Sequence, residues 1–308
     1  MACSGGPDSL ALAAAAAHLD RPVGAVVVDH GLQPGSAEVA RVAAGQCEAL
    51  GLSPVMVVAV DATNRGEGPE AAARNARYGA LSAAARDSGA LVLLGHTLDD
   101  QAETVLLAIA RGSGTRSLAG MPASRGVFRR PMLGLTRAEV RSALDGLDIV
   151  VWEDPHNSDP AYRRSRIRNE VLPVLDDVMG PGVRQALART ASLTRADADA
   201  LDGWAARVTA ELGGSESVGS GWSVGALGGL PTAVRRRVLR GGALSAGCPA
   251  GALAASHILE VDRLITEWHG QGPLHLPGGV TAARRYGRLF LPGPTTAPDP
   301  VNGARDGA

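Results

Sequence analysis

With 308 residues, 45% of them hydrophobic and 20% charged, the chain can bury a sizeable core in one large or two medium domains. Its net charge of −1 gives no overall pull toward nucleic acid, so any such binding must come from local patches. All 30 basic residues are arginine, which excludes a phosphate loop ending in Gly-Lys-Ser/Thr and a lysine Schiff base.

No charge-free apolar run reaches the roughly 20 residues of a membrane span, and no basic segment precedes an apolar one at the N-terminus. No membrane partner is therefore expected, and the cytoplasm is the default location. Cys3, Cys47 and Cys248 form no C-x-x-C pair. They are expected to be buried, inert thiols.

In chain order, the first feature is Ser4-Gly5-Gly6-Pro7-Asp8-Ser9. Two glycines allow a tight turn that points backbone N–H groups at one spot, with the positive end of the next helix behind them. That describes an anion cradle without lysine; taken alone, it equally describes a turn with an N-cap serine. Valine- and leucine-rich runs at 23–29, 54–60 and 90–95 read as strands buried on both faces, alternating with helices over 9–19, 36–50 and 69–88. A further helix is expected over about 99–111, and Thr136-x-x-Glu139 has the form of a capping box. The fold class is thus α/β, a Rossmann-like parallel sheet with helices on both faces.

The pattern changes after Pro173. Residues 176–212 predict a long linking helix or a helical pair, and 213–221 a glycine/serine hinge. A small C-terminal α+β domain follows. The division expected is 1–175, an α/β domain; 176–212, a helical linker; 213–291, the small domain; and 292–308, a disordered tail.

Downstream of the loop lie Val28-Asp29-His30-Gly31-Leu32, Glu70 to Tyr78 with Arg74 and Arg77, and Gly95-His96-Thr-Leu-Asp99-Asp100-Gln101-Ala-Glu103-Thr104. Then come Arg111-Gly-Ser-Gly114, Trp152-Glu-Asp154-Pro-His-Asn157, and Tyr162 to Arg168. In that order and spacing, the motifs from Ser4 to Leu175 resemble the tRNA(Ile)-lysidine synthetase family of the PP-loop N-type ATP pyrophosphatases. Only the neighbourhood of Leu276-Pro277-Gly278-Gly279 extends the likeness toward the C-terminus.

The resemblance implies an ATP-dependent ligase. It would attach L-lysine to C2 of the wobble cytidine in a CAU-anticodon isoleucine tRNA, through an adenylated cytidine, releasing diphosphate and then AMP. It also implies site residues. Ser4, Gly5, Gly6, Pro7, Asp8, Ser9, Asp29 and His96 would bind ATP, and Asp8 and Asp100 would hold Mg²⁺. Asp100, Arg74, Arg77 and Arg168 would be catalytic, with Asp99 and Glu103 supporting Asp100. Arg163, Arg164, Arg166, Arg235 and Arg236 would contact tRNA, the 163–168 run through the anticodon stem or the adenylate and the 235–240 run, with 284–288, through its backbone.

Most of these side chains have a second reading. Asp8 and the Asp99–Glu103 group suit helix capping, and His96 suits a structural role. Arg74 and Arg77 suit a solvated helix face or pairing with Glu70, and the 163–168 run a solvated face. Only 3% of residues are aromatic, so no broad base-stacking platform is expected. A tRNA thiolase of the same superfamily and a catalytically inactive nucleotide-binding protein are the alternative functions.

The family pattern places an apolar strand of several residues before the loop, where this sequence has Met1-Ala2-Cys3. A native start some residues upstream is the corresponding expectation.

Overall fold

The computed structural model describes residues 1–31, 35–61, 69–112, 114–154, 159–213 and 221–293. Leu32, the Glu70 side chain, Ser113, residues 155–158, most of the 213–221 hinge and the tail from 294 lie outside that description. By packing, the chain divides into Met1–Arg195 and Ala196–Ala308.

In the first unit, β1 (Ala2–Cys3), β2 (Ala25–Asp29) and β3 (Val55–Ala59) form a parallel sheet in that order, with Ala2 opposite Val26 and Val26 opposite Met56. Successive side chains point to opposite faces. Cys3, Ala25 and Val27 pack under α1 (Pro7–Ala16) and α2 (Ser36–Ala49). Val26, with Ala2 and Val28, meets Leu81 and Ala85 of α3 (Pro69–Ser88) on the other side. Helices thus cover both faces, and α1 is so Ala-rich that it is buried nearly all round.

Two strand expectations change. The 54–60 run was expected to be buried on both faces, yet it forms the sheet's edge, with Met56 40% and Val57 50% exposed. The 90–95 run supplies only β4 (Val92–Leu93), and it is not laddered to β1. It pairs in parallel with β6 (Phe128–Arg129), which pairs antiparallel with β5 (Ser124–Arg125). The sheets meet through apolar packing: Val92 and Leu94 share the layer of Val26 and Leu81.

At the N-terminus, Met1 is buried and its amino group donates to the Gly24 carbonyl at 2.6 Å. Next along the chain from β4 comes α4 (Leu98–Ala110), and α5 (Thr115–Leu118) precedes β5; the capping box of Thr136 and Glu139 forms and starts α6 (Arg137–Ser142). The basic run makes α7 (Arg163–Arg166), which continues through a π-helical turn at Ile167–Val171 into α8 (Leu172–Met179). The division between units falls inside α9 (Val183–Glu211).

The second unit packs the helices Thr232–Ser245 and Ala255–Thr266 on a four-stranded antiparallel sheet ordered β7 (Trp222–Ser223), β10 (Arg288–Phe290), β9 (Thr281–Arg285), β8 (Leu274–His275). Trp222, Leu239, Leu264 and Leu289 fill its core. These strands are two to five residues long, too short for their alternation to stand out in the sequence.

Candidate active site

The loop after β1 is shaped from within. Gly5 has φ +78°, a conformation L side chains rarely adopt, and a Cβ there would lie 3.2 Å from that of Ala43. Ser9 ties the turn by donating its hydroxyl to the Gly6 carbonyl (2.9 Å) and accepting the Ser4 N–H (3.1 Å). Trp152 N–H donates to the Gly5 carbonyl at 3.1 Å. Pro7 starts α1 at its first position, where a missing N–H costs nothing.

The loop opens on a cavity of about 920 Å³ at the carboxyl ends of β1 and β2, the edge where open α/β sheets bind ligands. Asp29, His30, Arg74, Arg77, His96, Asp100, Arg164 and Arg168 also line it, so one space gathers most of the sequence-predicted residues. The Asp29 carboxylate accepts the Gly31 N–H at 3.0 Å, which holds its pKa below the usual range.

The carboxylates lie deeper. Helix α4 begins at Leu98, and Thr97 is its cap. Asp100 is therefore the third helical residue. One of its oxygens accepts the Thr97 N–H (2.9 Å), while the other meets Arg137 (3.0 Å) and Arg168 (3.5 Å). Capping and site geometry thus coexist in one side chain. Burial opposes its ionisation, but Arg137, the Thr97 N–H, His96 and Arg168 outweigh it and hold the pKa below the usual range.

Glu103, wholly buried, accepts Arg168 at 2.7 Å and lies 3.6 Å from Arg137. The π-helical turn carries Arg168 to it. Asp99, expected to support Asp100, has other partners. Its carboxylate accepts the Arg137 backbone N–H (2.7 Å) and pairs with Arg184 (3.1 Å), tying α4 to α6 and α9.

Asp8 caps nothing by side chain. One of its oxygens lies 3.6 Å from Arg137, and the other is buried with no hydrogen-bond partner among the described residues. Burial raises its pKa, Arg137 opposes that, and Asp100 adds to it. An orphaned carboxylate oxygen near a second carboxylate fits Mg²⁺, which takes one or two protein carboxylates together with substrate phosphates.

Arg137 joins Asp8, Asp100 and Glu103, and its importance was not visible in the sequence. Its sole signal was its place directly after the Thr136 cap.

His96 and His30 each keep a buried Nδ1 with no partner among the described residues. Burial pushes His96 down to about 4, so it is neutral near pH 7. The Arg74 guanidinium lies 5.0 Å over the Tyr78 ring and Arg77 6.0 Å over it.

The other predicted phosphate contacts separate. Arg164 lines the cavity and donates to the Thr104 hydroxyl at 2.9 Å, and Arg163 is exposed beside it. Arg166 instead pairs with Glu170 on the outer face of its own helix. Arg235 corrects the expectation of a tRNA contact: it is only 6% exposed and forks onto buried Asp262 at 2.6 Å, joining two helices of the second unit. Arg236 reaches the same carboxylate at 2.8 Å from the surface. Arg284 and Arg288 donate to the carbonyls of Leu264 and Gly221.

Two family models match the chain. Residues 1–175 match the PP-loop domain and residues 223–290 the TilS substrate binding domain. The tRNA(Ile)-lysidine synthase of Streptomyces coelicolor is 56% identical over 94% of this chain and 84% of its own length. That of Thermobifida fusca is 52% identical over 94% and 90%. Among solved structures, the U34-tRNA thiolase NcsA from Methanococcus maripaludis with its [4Fe-4S] cluster superposes with TM-score 0.53 at 20% identity, over 63% of this chain and 71% of that one. At that identity the likeness concerns the fold alone. Identity above one half across almost the whole length decides the matter: the chain belongs to the tRNA(Ile)-lysidine synthase family.

Proposed function

We propose that this chain is an ATP-dependent ligase that attaches lysine to C2 of the wobble cytidine in CAU-anticodon isoleucine tRNA. The reading is supported by its relatives, which favour it over a thiolase, and by one observation above all. A lysine-free phosphate loop, the Asp8–Asp100 pair and a set of arginines open on a single cavity.

In the first step the cytidine O2 attacks the ATP α-phosphorus, and diphosphate leaves. In the second the lysine amine attacks C2, loses a proton, and AMP departs with the former O2. Both steps shift negative charge onto phosphate oxygens, so preoriented donors carry the catalysis. The N–H groups of the loop and of the first turn of α1, with the Ser4 hydroxyl, receive the phosphates, while Ser9 holds the turn in shape. Arg74 and Arg77 face the charge that develops, and Arg168 together with Arg137 fixes the Asp100 carboxylate. Asp8 and Asp100 would hold Mg²⁺, which supplies charge neutralisation to the diphosphate. Neutral His96 serves as a hydrogen-bonding wall toward ribose or phosphate.

The test is tRNA-dependent nucleotide cleavage. Purified protein with ATP, Mg²⁺ and lysine should release AMP and diphosphate with the isoleucine CAU transcript and not with methionine tRNA. Cleavage to ADP, or cleavage indifferent to the tRNA, would refute the proposal.

A further inference from the structure

Beside the first cavity, a second of about 520 Å³ lies in the same unit. Four arginines line it: Arg74 from α3, Arg111 at the end of α4, and Arg163 and Arg164 from α7. The Tyr162 ring and the Ser117 hydroxyl complete the polar wall. Among the described residues no carboxylate lines it, whereas Asp8, Asp29, Asp100, Glu153 and Asp154 line the first. Arg74 and Arg164 line both, so the two spaces share a wall.

We infer that the second cavity grips a backbone phosphodiester of the RNA next to the nucleotide presented to the first cavity. This rests on the ligase reading above and goes beyond it by assigning a separate subsite. A nucleoside triphosphate arrives with a divalent cation that needs an acidic ligand, and no described residue lining this space is acidic. A phosphodiester carries a single charge and needs donors alone, which guanidinium forks supply in matching geometry. The arginines are also crowded. An anion seated among Arg74, Arg111, Arg163 and Arg164 offsets the mutual repulsion of their like charges. Arg111 had no role in the sequence reading beyond its motif; the cavity gives it one.

The experiment uses the full chain with Arg111→Gln and Arg163→Gln, both at exposed positions and so compatible with folding. Binding of labelled isoleucine CAU transcript is followed without ATP across a salt series, and ATP and diphosphate binding are followed without RNA. Each variant should weaken RNA binding about tenfold and flatten the log–log salt slope by about 1. ATP and diphosphate affinities should stay within about twofold. Unchanged RNA affinity and slope would overturn the subsite. So would a comparable loss of ATP or diphosphate affinity, since the cavity would then belong to the nucleotide. A wild-type chain that binds RNA through these residues yet cleaves no ATP on it would leave the subsite standing and refute the ligase reading.

Discussion

Asp100 divides its two oxygens between a helix cap and a pair of arginines, so its substitution separates charge from architecture. Asp100→Asn keeps an acceptor for the Thr97 N–H and loses the charge facing Arg137 and Arg168. Adenylation should fall by about 10²-fold or more while tRNA binding stays near normal. Turnover at the wild-type rate would remove Asp100 from the site. His96 gives a pH signature. Its folded pKa of about 4 lies below the ordinary 6.5, so the unfolded chain binds more protons between those values. The stability it contributes is complete above about pH 6.5 and fades as pH falls toward 4. Wild type should therefore lose about 2 kcal/mol more than His96→Gln between pH 7 and pH 5 in urea denaturation. Equal losses would mean that the imidazole is not shielded. Asp100 was legible because paired carboxylates at a helix start are distinctive. Arg137 was not, because a lone arginine after a capping threonine looks like surface. Asp99, expected to support Asp100, instead ties α4 to α6 and α9 through the Arg137 N–H and Arg184, partners too distant in the sequence for spacing to reveal.

Among the elements, α3 was readable to its ends, Pro69–Ser88, and α2 to within a residue, because long periodic segments carry strong signals. Apolar runs identified the strands but not their partners: the third joined a different ladder, and the second lay at an edge where half its surface meets water. Gly95 shows what holds the pieces in place. A Cβ there would sit 2.9 Å from the Asp8 carbonyl oxygen and 3.2 Å from the Ser9 Cα, backbone atoms that cannot swing aside. Gly95→Ala should displace the start of α1, cost about 1–3 kcal/mol, and weaken ATP binding roughly tenfold by calorimetry. Wild-type ATP affinity would show that the loop tolerates the shift.

Across the molecule, the two units use arginine differently. In the first, guanidiniums line cavities; in the second, several of them hold the fold together. The sequence ran these uses together because a cluster such as Arg235-Arg236-Arg237 reads the same whether it faces water or a buried Asp262. Arg235→Met strands part of that carboxylate's pairing and should destabilise the second unit by about 3 kcal/mol, leaving the salt slope of tRNA binding unchanged. A flatter slope with stability intact would return Arg235 to the RNA interface.

The most direct test of the central claim is transfer of labelled lysine to RNA. The full chain would be incubated with ATP, Mg²⁺ and isoleucine CAU transcript, and the label mapped by nuclease digestion. The account predicts one lysine per tRNA, at the wobble cytidine, dependent on ATP and absent with methionine tRNA. ATP cleavage on the tRNA without lysine transfer, or label on another nucleotide, would contradict it.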